Sequence, residues 1–436
     1  MDGVASHGLK DPQTLSFQRP TIRRLILASY WLVILIAVPF WWRLTSIERR
    51  ALPSNRVHSQ LERTPVFPVN VQLDASSFQE KAPIIAKELN SLLTRTVQAS
   101  PRWKGLEIHV GLIDNADGQT EEGSYTVTLG NATAVRHPRH LTVSHEDALY
   151  AARIAELLSG LLAPETSSQD QRVVKYAKRY RLAFSLLNED VASDRLITSW
   201  NVRAAIADHV SPILSRLSML HDFVIESQIQ FHAPLAFEPV RIISENGTLY
   251  GVTPADLTVF VNSAEWTLSS SVSEDPVLHF VLFVPSSSRQ PLHILDSQGA
   301  PTTHATFLLP QWGGIYILNQ SGRSSTRSQL GAVDLTHVFA AFANQLSALL
   351  GVPSLPSDIA SEGSSILSDW QLDAVLRFRA SENIVGTQQT LSSIVKLVDQ
   401  IENMPVDEHV RGDVQDSLKA LDQVRSFFFL FNAHLL

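Results

Sequence analysis

The sequence has no cysteine among its 436 residues. That one absence removes disulfides, thiolate-bound zinc, iron–sulfur clusters and a cysteine nucleophile together. It leaves the compartment open, because a chain of this size can fold on an apolar core without cross-links. Charge is sparse as well: charged residues make up 18% of the chain and the net charge is −8. No basic stripe can neutralise phosphates, and zinc-finger, P-loop and RNA-binding signatures are missing, so nucleic acid is not an expected partner. A G-x-S-x-G elbow is missing too, and abundant Ser, His and Asp do not by themselves make a triad. No catalytic, cofactor-binding or metal residue is assigned, and no cofactor is expected.

What is present is one long apolar run. Leu25 to Trp42 carries no charge and lies between Arg23-Arg24 and Arg43. At about 1.5 Å per helical residue it covers most of a hydrocarbon core roughly 30 Å thick. A buried core helix would alternate apolar and polar positions, whereas this run does not. Trp41 and Trp42 stand at its far end, where indole rings favour the headgroup level. Pro39-Phe40-Trp41-Trp42 occupies the place where signal-peptide cleavage needs small residues, so an uncleaved signal anchor is expected. Arginines on both flanks leave its orientation open.

The composition, 44% hydrophobic, is that of a folded chain. Residues 1–24 read as a short tail, 25–42 as the anchor and 43–68 as a polar, proline-punctuated connector without an amphipathic pattern. Alternating strand and helix patterns over 69–190 predict a first α/β lobe. Strands are expected at Val69–Leu73, Leu106–Ile113, Tyr125–Leu129 and Tyr180–Leu187, with helices from Phe78 to Val97 and from Asp147 to Leu162. Over 191–330 a second sheet-containing lobe is expected. It would hold a helix from Trp200 to Leu220 and strands at Phe223–Phe231, Leu257–Val261, Val277–Val284, Phe307–Leu309 and Ile315–Leu318. Residues 331–436 read as helix-rich, with helices at Asp334–Leu350, Ser364–Arg379, Thr390–Met404 and Val410 to about Phe429. The fold class is thus α/β, two sheet-containing lobes plus a helical carboxy-terminal part on an amino-terminal transmembrane helix.

Few residues stand out as sites. His137, His140 and His145, with Glu146 and Asp147, are the densest metal-capable group. They lack the H-E-x-x-H register and Pro138 favours a loop, so solvated loop histidines are expected. Gly313-Gly314 lacks phosphate-loop spacing and reads as a tight turn. Sequons for N-glycosylation begin at Asn131, Asn246 and Asn319, with Asn246 the best placed because Ser-Glu-Asn-Gly-Thr is turn-like. Trp266, Trp312 and Trp370 are candidates for subunit contacts, though large rings more often belong to the core.

Particular strings carry more information than pattern does. Trp41-Trp42-Arg43 followed by Glu48-Arg49-Arg50-Ala51-Leu52-Pro53 resembles the anchor exit of the PIG-S family, a subunit of the endoplasmic reticulum GPI transamidase. Further matches follow in family order: Phe184-Ser185-Leu186-Leu187-Asn188, Asp222-Phe223 with Glu226-Ser227-Gln228, Ala264-Glu265-Trp266, and Phe283-Val284-Pro285 with Pro291-Leu292-His293-Ile294-Leu295. Leu309-Pro310-Gln311-Trp312-Gly313-Gly314 is the most distinctive of them. The resemblance implies a noncatalytic subunit that supports transfer of a GPI lipid to a proprotein carboxy terminus, with the amino terminus cytosolic and the main domain lumenal. It implies partners as well: the caspase-like PIG-K, which would do the cutting, PIG-T, PIG-U and a GAA-type subunit, with GPI lipid and proprotein nearby. A second transmembrane helix expected of the family near the carboxy terminus is not reached by this sequence. A stand-alone lumenal hydrolase and an adaptor of another complex are the alternatives.

Overall fold

The computed structural model describes residues 19–433 except 47, 101–102, 104, 115–122, 165–172, 193–195, 245–246, 263–264, 267, 269–273, 321–327, 363–365 and 402–403. It is a mixed α/β protein with several sheets and an apolar amino-terminal helix, Pro20–Thr45. That helix is long and apolar enough to cross a membrane, and none of its residues is buried within the chain. The chain divides into two compact units, one of 64–385 with 425–436, the other of 1–63 with 386–424.

In the smaller unit the polar, proline-punctuated segment after the apolar helix holds a short helix of its own. Ser54–Leu61 is a helix that buries Val57 and Gln60. Val57 packs with Leu391, Val395, Val414 and Leu418. Only two buried positions three residues apart mark this helix, too few for a periodicity to register. The stretch just before it is tied down as well: Arg50 N donates to Val406 O, Val406 N donates to Glu48 O, and the Arg49 guanidinium donates to Val398 O at 2.9 Å.

The larger unit holds two main sheets. From one edge to the other the six-stranded sheet runs Ala360–Ser361, Ala134–Arg136, His140–Ser144, Tyr125–Gly130, Phe67–Asp74 and Leu106–Ile113. All pairings are parallel except the hairpin 134–144. Alternation decides its faces. Val69, Val71, Leu73, Val127, Leu141 and Val143 point into a core shared with helices Ala82–Ala99 and Ala151–Leu162. The intervening residues, Asn70, Gln72, Asp74, Thr126, Thr128, His140 and Thr142, form a polar opposite face.

The five-stranded sheet runs Thr306–Leu309, Gly313–Ile317, Val277–Val284, Arg179–Asn188 and Asp222–Gln230. Here both faces are apolar, as a buried parallel sheet requires. One face packs Phe184, Phe280 and Leu282 against Phe339 and Phe342 of helix Ala332–Leu349; the other packs Val281, Phe283 and Ile315 against Phe260, Trp266 and Leu292. Trp266 and Trp370 are therefore core residues, and Trp312 stacks on His279 with ring centroids 4.8 Å apart. Gly313 and Gly314 begin a strand and do not form the turn, which is Pro310-Gln311-Trp312. A Cβ on Gly313 would lie 1.9 Å from His279 O, and one on Gly314 1.9 Å from Gln345 Oε1, so both glycines serve close approach.

Other expectations are corrected. Leu257–Val261 is not a strand: Pro254–Thr258 is a short helix, set by a capping box in which Thr253 and Asp256 bond each other's backbone. The helix expected from Trp200 starts at Val202 behind the Asn201 cap and contains a π-turn, Ile206–Val210; Trp200 itself ends a strand. The helix expected from Asp147 starts at Ala151 after a 3-10 turn. Ser364–Arg379 and Thr390–Met404 are merged into one helix, Asp369–Gln400, since nothing between them but Gly386 disfavours helix.

The first turns of that helix lie between the two sheets as a strut. Asp369 accepts from His137 of the hairpin and from Arg216 of helix Ser211–Leu217. Asp373 accepts from Arg139 Nε at 2.6 Å, Arg139 Nη2 at 3.0 Å and Tyr125 Oη at 2.7 Å. Arg377 donates to Tyr125 Oη at 2.6 Å, and Arg379 donates to the carbonyls of Val174 and Leu350. Burial pushes the Tyr125 hydroxyl up to about 12, so it stays a donor.

Two outcomes follow from this packing. Asp373→Leu leaves the Arg139 guanidinium and the Tyr125 hydroxyl without their carboxylate, and is expected to cost about 3–5 kcal/mol in denaturant unfolding, against about 1–3 for Asp373→Asn; a loss under about 1 kcal/mol for the leucine variant would show that the strut is not holding the sheets. His279 is depressed from 6.5 to about 4 by burial and by Arg181. Between those values the unfolded chain binds a proton that the folded chain refuses, so stability should fall as the pH is lowered through that window, by roughly 3 kcal/mol in all. His279→Gln should flatten that part of the pH profile.

Candidate functional site

In an open parallel sheet, ligands sit beyond the carboxyl ends of the strands where the chain reverses its direction of travel across the sheet. Each main sheet has such a point. In the six-stranded sheet the chain passes from Phe67–Asp74 outward to Leu106–Ile113, then returns to Tyr125–Gly130 on the other side. In the five-stranded sheet it passes from Arg179–Asn188 to Asp222–Gln230, then to Val277–Val284.

The second point is filled. Glu189, 4% exposed, accepts from Ser286 N at 2.7 Å and from Arg289, while Asn188 bonds both backbone groups of Ile197 at 3.0 Å. The first is open. A cleft of about 540 Å³ lies over it, within the range of small-ligand sites. Asp74, Ser76, Ser77, Thr128, Asn131, Arg136, His140, Thr142 and Glu362 line it together with Leu129, Gly130 and Ala132, and polar surface predominates.

Each side chain is placed by its element. Asp74 ends its strand and caps the following turn, accepting from Ser76 N at 3.2 Å, from Ser76 Oγ at 2.8 Å and from Ser77 Oγ. Burial pushes its carboxyl up, but the hydrogen bonds from Ser77 and Ser76 outweigh that and hold it below the usual carboxylate range. Thr128 Oγ1 and His140 Nε2 are 2.7 Å apart on neighbouring strands, and Arg136 pairs with Glu362. Chemically this is a recognition surface. The serine hydroxyls donate to a carboxylate that is a weak base, and His140 faces a threonine on the next strand, so neither serine is set up as a nucleophile.

The residues singled out by sequence are distributed as follows. The three histidines are not brought together: His137 bonds Asp369, His140 lines the cleft and His145 lies in an exposed turn. Asp147 accepts from Thr133 Oγ1, Ser144 Oγ and Arg153, and these bonds hold its carboxyl low. Asn131 is exposed on the cleft rim, with its sequon partner Thr133 8% exposed and bonded to Asp147. Asn319 is half-buried; its carboxamide bridges both backbone groups of Leu292 at 2.8 Å. Asn246 lies outside the described residues. Sequence reading missed Asp74, Ser76, Ser77, Arg136 and Glu362. The Asp-x-Ser-Ser string closing the first predicted strand was the available signal, because such a residue ends a strand at the ligand-bearing edge.

A test of this geometry is Asn319→Ala, expected to lower stability by about 1–3 kcal/mol in denaturant unfolding by leaving the Leu292 backbone unpaired.

Residues 28–428 match the family profile described as phosphatidylinositol-glycan biosynthesis class S protein. GPI-anchor transamidase component PIGS of Bos taurus is 28% identical, over 92% of this chain and 82% of its own length. The GPI transamidase component PIG-S homolog of Schizosaccharomyces pombe is 28% identical over 92% of this chain and 72% of its own length. GPI transamidase component GPI17 of Saccharomyces cerevisiae is 24% identical over 88% and 75% respectively. With the family profile matched from just inside the anchor helix almost to the last residue, this chain belongs to the PIG-S family.

Proposed function

We propose that this chain is a membrane-anchored subunit of a GPI transamidase, that it is noncatalytic, and that its body lies in the lumen of the endoplasmic reticulum with residues 1–24 in the cytosol. The observation that carries the reading is the family match over 28–428, which takes in the membrane-length helix and both sheets. Relatives from mammals and yeasts bear the name of transamidase components. A noncatalytic role is supported by the absence of any cysteine and by the weakly basic surroundings of the cleft serines. Cleavage of the proprotein then falls to a caspase-like partner of the PIG-K type, and assembly involves PIG-T, PIG-U and a GAA-type subunit. In this reading the chain works by stabilising the assembly and arranging proprotein and lipid near the catalytic subunit.

The test is affinity purification of the tagged full chain in mild detergent, with co-purifying proteins identified by mass spectrometry, alongside depletion in cells. Recovery of the caspase-like subunit, and joint loss of assembled complex and surface GPI-anchored proteins on depletion, are expected. Normal levels of both after complete loss would overturn the stabilising role, and hydrolytic activity of the purified chain alone would overturn the noncatalytic one.

A further inference from the structure

The cleft over the six-stranded sheet has a lining that narrows its ligand by chemistry. Two carboxylates, Asp74 and Glu362, face one guanidinium, Arg136, so an anion is disfavoured. A cation finds no open carboxylate, because Asp74 already accepts from Ser76 and Ser77 and Glu362 is paired with Arg136. An apolar ligand would strand the hydroxyl and amide groups that make up most of the wall. What remains is a neutral ligand that both donates and accepts many hydrogen bonds.

Two observations show that the cleft has such capacity in reserve. Thr142, 6% exposed, is among the lining residues, and its Oγ1, itself closed from solvent, has no partner among the described residues. The Asn131 carboxamide on the rim makes no hydrogen bond among the described residues. Ser76 and Ser77 use their protons on Asp74, which leaves their oxygen lone pairs as acceptors. The lining therefore combines donors from Asn131 and Arg136 with acceptors from the serines, the combination that vicinal hydroxyls satisfy.

We propose that the cleft between the carboxyl ends of strands 67–74 and 125–130 binds a polyhydroxylated ring, a sugar or cyclitol. The inference rests on the cleft lining and stands apart from the assembly role. Two sources share this chemistry: the sugar or inositol headgroup of a free or lipid-linked glycan, and the first residue of a glycan carried by Asn131 itself, which opens a sequon on the rim.

The experiment is saturation-transfer NMR on the full chain in detergent with myo-inositol and mannose as probes, before and after enzymatic removal of N-glycans. Transfer to the untreated chain is expected if the cleft is open to outside ligand; transfer that appears only after deglycosylation, or in Asn131→Gln, is expected if its own glycan occupies the cleft. In either case Thr142→Val and Arg136→Met should each weaken the signal about fivefold, the worth of one hydrogen bond. Ser393→Ala, on an exposed helix surface, should not. If either variant fails to fold by circular dichroism, Ser76→Ala, an exposed lining position outside the sequon, replaces it. No transfer in any form, or transfer undiminished in the cleft variants, overturns the proposal, whether or not the chain assembles with partners.

Discussion

Two carboxylates on one helix, Asp369 and Asp373, carry the arrangement of the larger unit. Both are nearly buried, and between them they gather donors from elements far apart in sequence: the hairpin 134–144 reaches both, and helix Ser211–Leu217 reaches Asp369. A buried ion pair seldom adds net stability over a well-packed apolar contact, but leaving one member alone is costly. Such a network therefore selects one docking of the two sheets over alternatives. The hairpin that answers the strut also supplies Arg136 and His140 to the cleft, so the same few bonds that set the sheets set the cleft wall.

The two switch points of this fold have been put to different uses. At one, Glu189, Ser286 and Arg289 close the crevice with the chain's own polar groups, and the sheet around it is apolar on both faces. At the other, the sheet presents a polar face and the crevice stays open. In a chain that has no thiol, this asymmetry sets a sheet packed on both faces beside a sheet with one polar face under an open cleft.

The parts of the fold legible in sequence were those with a strong period and full burial. Strand Val277–Val284 and strand Leu106–Ile113 have the bounds that their apolar runs predict, and the anchor helix extends its apolar run by a few residues on each side. Where tertiary contacts decide, pattern failed. The helix Ser54–Leu61 exists because partners more than three hundred residues away cover Val57 and Gln60. The short helix at Pro254 was signalled by Thr253 and Asp256, yet the apolar run Leu257–Val261 masked the signal. Of the cleft, His140 and Asn131 were noticed for other reasons, as a metal candidate and a sequon. Asp74 was marked only by the Asp-x-Ser-Ser string and Glu362 by nothing local, because what makes them a site is the order of strands in the sheet, which no local window contains.

The bonds that pin the exit of the anchor have a consequence in time. Arg49 reaches Val398 across a sequence separation of 349 residues, and Arg50 closes with Val406. At about 5–20 residues per second of synthesis, roughly 20–70 s pass between the emergence of the anchor and that of the residues that hold its exit. For that interval the segment that leaves the apolar helix is loose, and it stiffens only when translation is nearly finished. A ribosome that stops early would leave a chain whose sheets are complete but whose link to that helix is still slack.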